Sequence, residues 1–146
     1  MPFVTIRVAP EDRRGLSFVS PMRKNLLVEL SLGGATESRW VAQQLKRSVV
    51  KAFNNIHAQH LLELRQSKGT PGRIALPVAG DDPAAKAVVL RLIDELGFDG
   101  VDAGTLDESW RQQPDTGVYG TNLDAEGVRR ALSEASKERK PEWRAT

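Results

Sequence analysis

The stretch from residue 82 to residue 97 constrains the fold of this chain more than any other segment. Asp82 and Pro83 are residue types preferred at the cap and at the first position of a helix, because the carboxylate accepts a free backbone N–H and proline has none to satisfy. Apolar residues then recur every three or four positions, and Gly97 suits the left-handed residue that ends many helices. The segment therefore predicts one amphipathic helix that packs its apolar side against a core.

Strand-like and helix-like segments alternate on either side of this helix. Such alternation predicts an α/β fold, a partial Rossmann-like sheet flanked by helices and joined mostly by crossover connections. Pro77 falls within one predicted strand, and because it cannot donate to a ladder we expect it at an edge or bulge. The other predicted helices cover residues 37–46 (capped by Thr36), 58–65 and a segment after Asp124, and the predicted strands cover residues 49–53, 74–79 and 98–103.

Residues 1–34 differ in pattern from the rest of the chain. Residues 3–8 alternate apolar and polar side chains, which predicts a short strand. Residues 25–32 form a second apolar run, expected to be a strand or short helix. The arginine-rich stretch between these two runs is expected to be a loop.

Composition excludes several classes of function. The chain has 146 residues, no cysteine and two histidines, which excludes disulfides, thiolate metal sites and cysteine nucleophiles and makes a multi-histidine metal site unexpected. A net charge of +2 and an aromatic content of 5% argue against nucleic-acid binding. No apolar run reaches the roughly 18–20 residues of a membrane span. Without a signal-peptide pattern, a cytoplasmic location is expected.

Two pairs of polar residues lie at predicted strand ends. Asn54 and Asn55 follow the strand over residues 49–53, and ligands of open α/β sheets bind at such strand ends. Their carboxamides could bond a ring carbonyl or amide, or they could shape the turn and cap the next helix. Asp81 and Asp82 could form a paired-carboxylate site, but capping of the following helix is the expected role.

Three further residues allow two interpretations each. His57 and His60 are three positions apart and could share a ligand, although without nearby carboxylates or thiols we expect them to face solvent. Trp110 could stack on a flat cofactor, but packing against the sheet is the more common use of tryptophan. The sequence predicts no catalytic residue and no metal ligand from these patterns.

Ordered blocks in the second part of the chain resemble a known family. They are VVKAFNNI at residues 49–56, VAGDD at 78–82, LGF at 96–98, VDAG at 101–104 and LDESWRQQP at 106–114. These blocks are similar to the second half of the NADP oxidoreductases of the 8-hydroxy-5-deazaflavin-dependent type. The resemblance runs from about residue 35 to about residue 132, roughly two-thirds of the chain.

The resemblance implies a function and a division of the chain. It implies NADP as cofactor, with 8-hydroxy-5-deazaflavin as a candidate hydride partner. It places the cofactor- or substrate-binding residues at Asn54, Asn55 and Ile56 and at Ala103 and Gly104. It also implies an unmatched N-terminal segment (residues 1–34), the C-terminal half of a Rossmann-like NADP oxidoreductase domain (35–136) and a charged tail (137–146).

The chain departs from this family in its first part. Residues 1–34 contain no Gly-x-Gly-x-x-Gly turn, the motif that lets backbone approach a pyrophosphate. Some family members carry histidine at the position of Asn54, and asparagine cannot act as an acid or base near neutral pH. The expected function is therefore a partial NADP-dependent oxidoreductase, inactive or weakly active alone.

Two alternatives follow from the unmatched first part. In one, the chain is a non-catalytic assembly module whose exposed sheet edge pairs with a second copy or with a separate nucleotide-binding chain. In the other, the strand-like segments within residues 1–34 cover that edge and make a self-contained domain.

Overall fold

The structure, a computed structural model, describes residues 35–138 and the backbone of residues 5–8 and 16–19. The strands are β1 (Thr5–Val8), β2 (Leu16–Val19), β3 (Val50–Lys51), β4 (Ala75–Gly80) and β5 (Asp99–Asp102). The α-helices are α1 (Glu37–Leu45), α2 (Ala58–Glu63), α3 (Pro83–Leu96) and α4 (Ala125–Glu134), and a 3-10 helix covers Leu106–Gln112.

The strands form one mixed sheet in the order β2-β1-β3-β4-β5. The predicted α/β fold, a partial sheet flanked by helices, is confirmed. The expectation of mostly crossover connections is wrong, because among the described strands only β4 and β5 pair in parallel, while β3 runs antiparallel to both of its neighbours. The 14-residue helix α3 makes the one parallel crossover. The six residues of α2 include none that is buried, so this helix does not lie on the sheet as a crossover helix would.

Helix boundaries follow the predicted caps. The Asp82 carboxylate accepts the backbone N–H groups of Ala84 (2.9 Å) and Ala85 (3.3 Å), and Gly97 ends α3 with a φ of 101°. Thr36 and Asp124 cap α1 and α4 through side-chain oxygens in the same way. Each cap satisfies backbone donors that a helix leaves unpaired at its start.

The core lies on both faces of β4, and all six residues of that strand are buried. One apolar cluster joins Leu76 and Val78 to α3, and another joins Ala75 to α4. Burial on both faces explains why this strand reads as a nearly continuous apolar run rather than an alternating one. β4 therefore positions α3 and α4, which pack on its two faces.

One predicted strand boundary and one predicted loop need correction. The strand expected over residues 49–53 ends at Lys51, because Phe53 adopts a left-handed conformation with a φ of 62° that turns the chain away from the sheet. The predicted loop between the N-terminal apolar runs contains β2, whose Leu16 and Phe18 alternate with polar or smaller residues. The run over residues 25–32 lies outside the described residues.

Pro77 lies in β4, an interior strand of the sheet, but at the end of a ladder. The pairing of β3 with β4 stops at Lys51↔Ala79, so Pro77 pairs only with Val101 of β5. A proline needs no donor on a side where the ladder has ended. The expected edge therefore exists locally at Pro77, although β4 as a whole has a neighbouring strand on each side.

Candidate functional site

The turn after β3 is fully enclosed by the rest of the fold. Asn54, Asn55 and Ile56 are all buried, and Ile56 belongs to the apolar cluster that also contains Phe53. The left-handed Phe53 bends the chain there, and no proline or glycine is involved. The three residues predicted at this position therefore sit together, but their side chains have different surroundings.

Asn54 forms a reciprocal hydrogen-bonded pair with Gln112 at the end of the 3-10 helix. Asn54 Nδ2 donates to the Gln112 carbonyl at 2.5 Å, and Gln112 Nε2 donates to Asn54 Oδ1 at 3.1 Å. The same Gln112 Nε2 lies 3.5 Å from the Pro77 carbonyl. Because both polar atoms of its carboxamide are used, Asn54 fixes the 3-10 helix to the end of β3.

Asn55 has the opposite environment. The residue is 0% exposed, and neither Nδ2 nor Oδ1 has a hydrogen-bond partner within the part of the chain that the structure describes. A buried polar group without a partner costs about 1–3 kcal/mol, so native proteins contain few of them. Asn55 thus holds one donor and one acceptor available to a complementary group.

The 3-10 helix adds more buried polar atoms beside this turn. Ser109 Oγ and Gln112 Oε1 are buried and likewise lack a partner among the described residues. The buried Lys51 donates from Nζ to the Ser109 carbonyl at 3.3 Å. The interface between β3 and the 3-10 helix is therefore unusually polar for the interior of a small domain.

At the second predicted position, the turn after β5, the backbone groups already have hydrogen-bond partners. Ala103 N–H donates to the Val78 carbonyl at 2.8 Å, and Gly104 N–H donates to Asp102 Oδ1 at 2.9 Å. The Gly104 carbonyl accepts from Gly80 N–H at 3.0 Å. Ala103 and Gly104 are half-buried, and their backbone groups already have partners within the chain.

The structure does not bring the two predicted positions together. Gln112 links Asn54 to Pro77, whereas Gly104 is bonded to Gly80, three residues further along β4. Three residues of a strand span about 10 Å. The separation arises because β3 is antiparallel to β4, so their carboxyl ends lie at opposite ends of the sheet.

Charged groups around the turn after β5 neutralise one another. Burial alone would raise the pKa of Asp102, but hydrogen bonds from Lys86 Nζ (2.9 Å) and Gly104 N–H outweigh it and lower that pKa. Hydrogen bonding to Arg39 likewise lowers the pKa of Asp81. These carboxylates therefore stay ionised near neutral pH and are poorly suited to donate a proton.

Asp81 and Asp82 have separate structural roles. Asp82 caps α3, as expected, whereas Asp81 binds the Arg39 guanidinium and accepts Leu106 N–H at 3.1 Å. Arg39 also donates to Asp107 Oδ1 at 2.8 Å. This set joins α1, the start of α3 and the 3-10 helix, and it is not a paired-carboxylate site.

The remaining residues considered from sequence lie at the surface. His57 is exposed, as predicted, and His60 is half-exposed with its Nδ1 against the Asn122 carboxamide. The ring of Trp110 is contacted by two cations, the Arg111 guanidinium at 4.5 Å and Lys137 Nζ at 5.1 Å from its centroid. The described ring contacts of Trp110 are with these two cations, and stacking on a cofactor stays a prediction.

A groove of about 390 Å³ lies away from both predicted positions, along residues 65–68 and 94–97. At its base, the buried Arg73 binds Asp94 at 2.9 Å and Asp99 at 2.8 Å. Arg73 also donates to the carbonyls of Gln66 and Asp94. Its guanidinium is committed to these bonds, so it is not presented to a ligand.

Sequence reasoning missed the 3-10 helix residues Ser109 and Gln112 as neighbours of the candidate site. An exposed turn is also made of polar residues. Residue type alone therefore does not identify Ser109 and Gln112 as buried neighbours of the site. The available signal was their membership in the block at residues 106–114, which the family resemblance already contained.

Comparisons with known proteins give two relatives. The chain is 45% identical over 73 residues to the protein YjhV of Escherichia coli (strain K12), covering 50% of this chain and 53% of that one. The crystal structure of the hypothetical protein SMa0349 from Sinorhizobium meliloti matches with a TM-score of 0.54 and 31% identity, over 77% of this chain and 49% of that one. No family model matches the chain. The chain thus spans about half the length of either relative.

Within the described part of the chain, no helix combines the length and the apolar content that crossing a bilayer requires.

Proposed function

We propose that this chain is a partial, cytoplasmic NADP-dependent oxidoreductase of the deazaflavin-dependent type that contributes the ring-binding side of the site. The observation that carries the proposal is the buried carboxamide of Asn55, which has no hydrogen-bond partner among the residues that the structure describes. The resemblance over residues 49–56 assigns the same turn to the cofactor or substrate. The environment of its carboxamide and the family resemblance thus both indicate Asn55, one of the five predicted binding residues.

The carboxamide of Asn55 fits the ring end of such a cofactor. One donor and one acceptor on a single amide are complementary to the carboxamide of nicotinamide or to a lactam edge of a deazaflavin. NADPH supplies the hydride in this class of reaction. The role of Asn55 is to orient the ring, and none of the five predicted residues carries a side chain that titrates near neutral pH.

The phosphate end of the cofactor does not fit the described residues. An anion binds well at the start of a helix when backbone N–H groups are free and no negative charge is present. The first turns or caps of α1, α3 and α4 instead carry Glu37, Asp82 and Asp124. These acidic residues at the helix starts, together with the absence of a glycine-rich turn from residues 1–34, support weak binding of the cofactor through its ring alone.

Access to Asn55 requires a local movement. The side chain is 0% exposed, so a ring can reach it only after the covering chain moves aside. The free energy needed for that opening lowers the observed affinity further. This supports the expectation that the chain is inactive or weakly active by itself.

Titration with cofactor fragments tests the proposal. We expect reduced nicotinamide mononucleotide and NADPH to bind with similar, weak affinity, measured by nicotinamide fluorescence with and without a deazaflavin, and adenosine 2′,5′-bisphosphate not to compete. Asn55→Leu is expected to abolish the signal, whereas Gln59→Leu, a matched change on the exposed α2, leaves it unchanged. Competition by the bisphosphate, or unchanged binding by Asn55→Leu, contradicts the proposal.

The alternative function as an assembly module is favoured by one feature, the position of β5 at the end of the described sheet. The side of β3 that faces away from β4 is not open, because β1 pairs with it at Thr5↔Lys51 and Ile6↔Val50. An assembly of copies would therefore use β5 or β2. Light scattering at increasing concentration tests this, and a constant monomer mass excludes self-association through either edge.

A further inference from the structure

The buried face of the 3-10 helix changes from apolar to polar along its length. Leu106, Ser109 and Gln112 are its buried residues, and a spacing of three places side chains on one face of a 3-10 helix. Leu106 belongs to an apolar cluster with Val41 and Val49, whereas Ser109 and Gln112 carry polar atoms into the interior. A rise of about 2.0 Å per residue puts the Cα atoms of these two polar residues about 6 Å apart.

This face of the helix runs along β3 and into the turn that follows it. Lys51 Nζ donates to the Ser109 carbonyl at 3.3 Å, and the Asn54 carboxamide bonds with Gln112 at 2.5 Å and 3.1 Å. The contacts thus advance by three residues on both segments. The helix therefore follows the chain from β3 into the turn that carries Asn55, with Gln112 at the turn and Ser109 one helical turn before it.

The orientation of the Gln112 amide is fixed by two acceptors. Gln112 Nε2 lies 3.1 Å from Asn54 Oδ1 and 3.5 Å from the Pro77 carbonyl. Asn54 cannot exchange its own amide atoms, because its Nδ2 donates to the Gln112 carbonyl. Turning the Gln112 amide over would bring Oε1 against two oxygens that offer no hydrogen. Oε1 is therefore held as a buried acceptor, without a partner in the described part of the chain.

Ser109 Oγ adds a donor on the same face. It is buried and lacks a hydrogen-bond partner within residues 35–138. A hydroxyl both donates and accepts, whereas Gln112 Oε1 only accepts. A lactam presents the matching pair on one rigid edge, an N–H donor next to a carbonyl acceptor. Buried groups without partners carry a desolvation cost, and a ligand that pairs with both would remove it.

We propose that Ser109 and Gln112 bind the lactam edge of the deazaflavin, the hydride partner. Gln112 Oε1 accepts from the ring N–H, and Ser109 Oγ donates to the adjacent carbonyl. This inference rests on the proposed function and divides its site, because it leaves Asn55 to the carboxamide of nicotinamide and gives the second ring to the 3-10 helix. Both helix residues are 0% exposed, so the covering chain has to move and binding is weak.

Titration of the full chain with 8-hydroxy-5-deazaflavin, followed by the fluorescence of that ring, tests the assignment. The comparison compound is the derivative methylated at the lactam nitrogen. Because the methyl group removes the N–H, we expect the derivative to bind about tenfold more weakly. Gln112→Leu is expected to bind the two compounds with equal affinity, since the acceptor that distinguishes them is gone.

Ser109→Ala tests the site without disturbing the fold. Loss of a hydroxyl that has no partner among the described residues should leave the melting temperature unchanged or raise it, while deazaflavin binding falls about tenfold. Binding of reduced nicotinamide mononucleotide should not change. Ser133→Ala removes an exposed hydroxyl from α4, and this matched control should bind both deazaflavins as the parent chain does.

Equal affinity of the parent chain for the two deazaflavins would overturn the assignment, as would unchanged deazaflavin binding by Ser109→Ala. If reduced nicotinamide mononucleotide still binds and Asn55→Leu still abolishes that binding, the proposed function survives either result. The opposite outcome is also distinguishable. A parent chain that discriminates between the deazaflavins but binds no nicotinamide would keep the lactam site and contradict the proposed function.

Discussion

After β3 the chain turns through Asn54, Asn55 and Ile56, whereas after β5 it turns through Ala103 and Gly104. The first turn is fully buried and leaves a carboxamide without a partner among the described residues. The second is half-buried, and its backbone groups are bonded to β4 and Asp102. Two segments that family resemblance treats alike are therefore chemically different.

The difference separates residues that hold the fold from residues that are available to a ligand. Asn54, Ala103 and Gly104 have hydrogen-bond partners within the chain, so a ligand would compete with existing bonds. Asn55 has none within residues 35–138, so a ligand group that pairs with its carboxamide would remove an existing cost. Adjacent asparagines of the same residue type thus have opposite roles.

The largest expected effect is that of Asn54→Leu. The change removes both bonds of the pair and leaves the buried Gln112 amide without its side-chain partner. We expect the free energy of unfolding to fall by about 2–4 kcal/mol, measured by urea denaturation. In the double variant N54L/Q112L the loss should be smaller than the sum of the single losses. Strict additivity would show that the pair is not coupled.

Gly104→Ala should have the next largest effect. Gly104 has a φ of 92°, a conformation that costs an L-residue about 1–2 kcal/mol. The added methyl group would lie 3.4 Å from Glu108 Cβ, so strain rather than collision causes the loss of stability. Gly117→Ala, where a methyl group meets only Ala131 at 3.5 Å, serves as the control. Equal melting temperatures for the two variants would contradict this account.

Asn55→Leu should stabilise the protein by about 1 kcal/mol, because it replaces a buried amide that has no partner in the described part of the chain with an apolar side chain of similar shape. Urea denaturation of this variant beside Asn54→Leu compares the two neighbours directly. A loss of stability would show that Asn55, like Asn54, holds the fold, and the contrast between the turns would disappear.

The smallest effect concerns acid stability at the turn after β5. Hydrogen bonds from Lys86 and Gly104 lower the pKa of the exposed Asp102 in spite of its partial desolvation. A lowered pKa stabilises the folded state above the unfolded value of about 3.9, and this contribution is lost as the pH falls through the folded value. We therefore expect Asp102→Asn to lose less stability than the parent chain between pH 7 and pH 3. Glu63→Gln, which removes one negative charge from exposed α2, should keep the parent slope.

Local patterns predicted much of the fold and little of the site. The caps at Thr36, Asp82 and Asp124 were predicted because a cap is a contact between residues two or three positions apart. β2 was missed because four residues give too short a pattern to stand out in a polar stretch. The two candidate turns were identified as turns, but nothing local distinguished Asn54 from Asn55.

The sequence by itself determined the α/β class, the caps and extent of α3 and the absence of thiol chemistry, since these depend on composition and on neighbours within one or two turns. Only the tertiary structure decided that β3 runs antiparallel to β4 and that, among the described residues, Asn54 has a partner and Asn55 has none. Asn54 and Gln112 are 58 positions apart, and their contact depends on how the 3-10 helix packs along the sheet. Such pairing is fixed by the closure of the whole core, which no local pattern records.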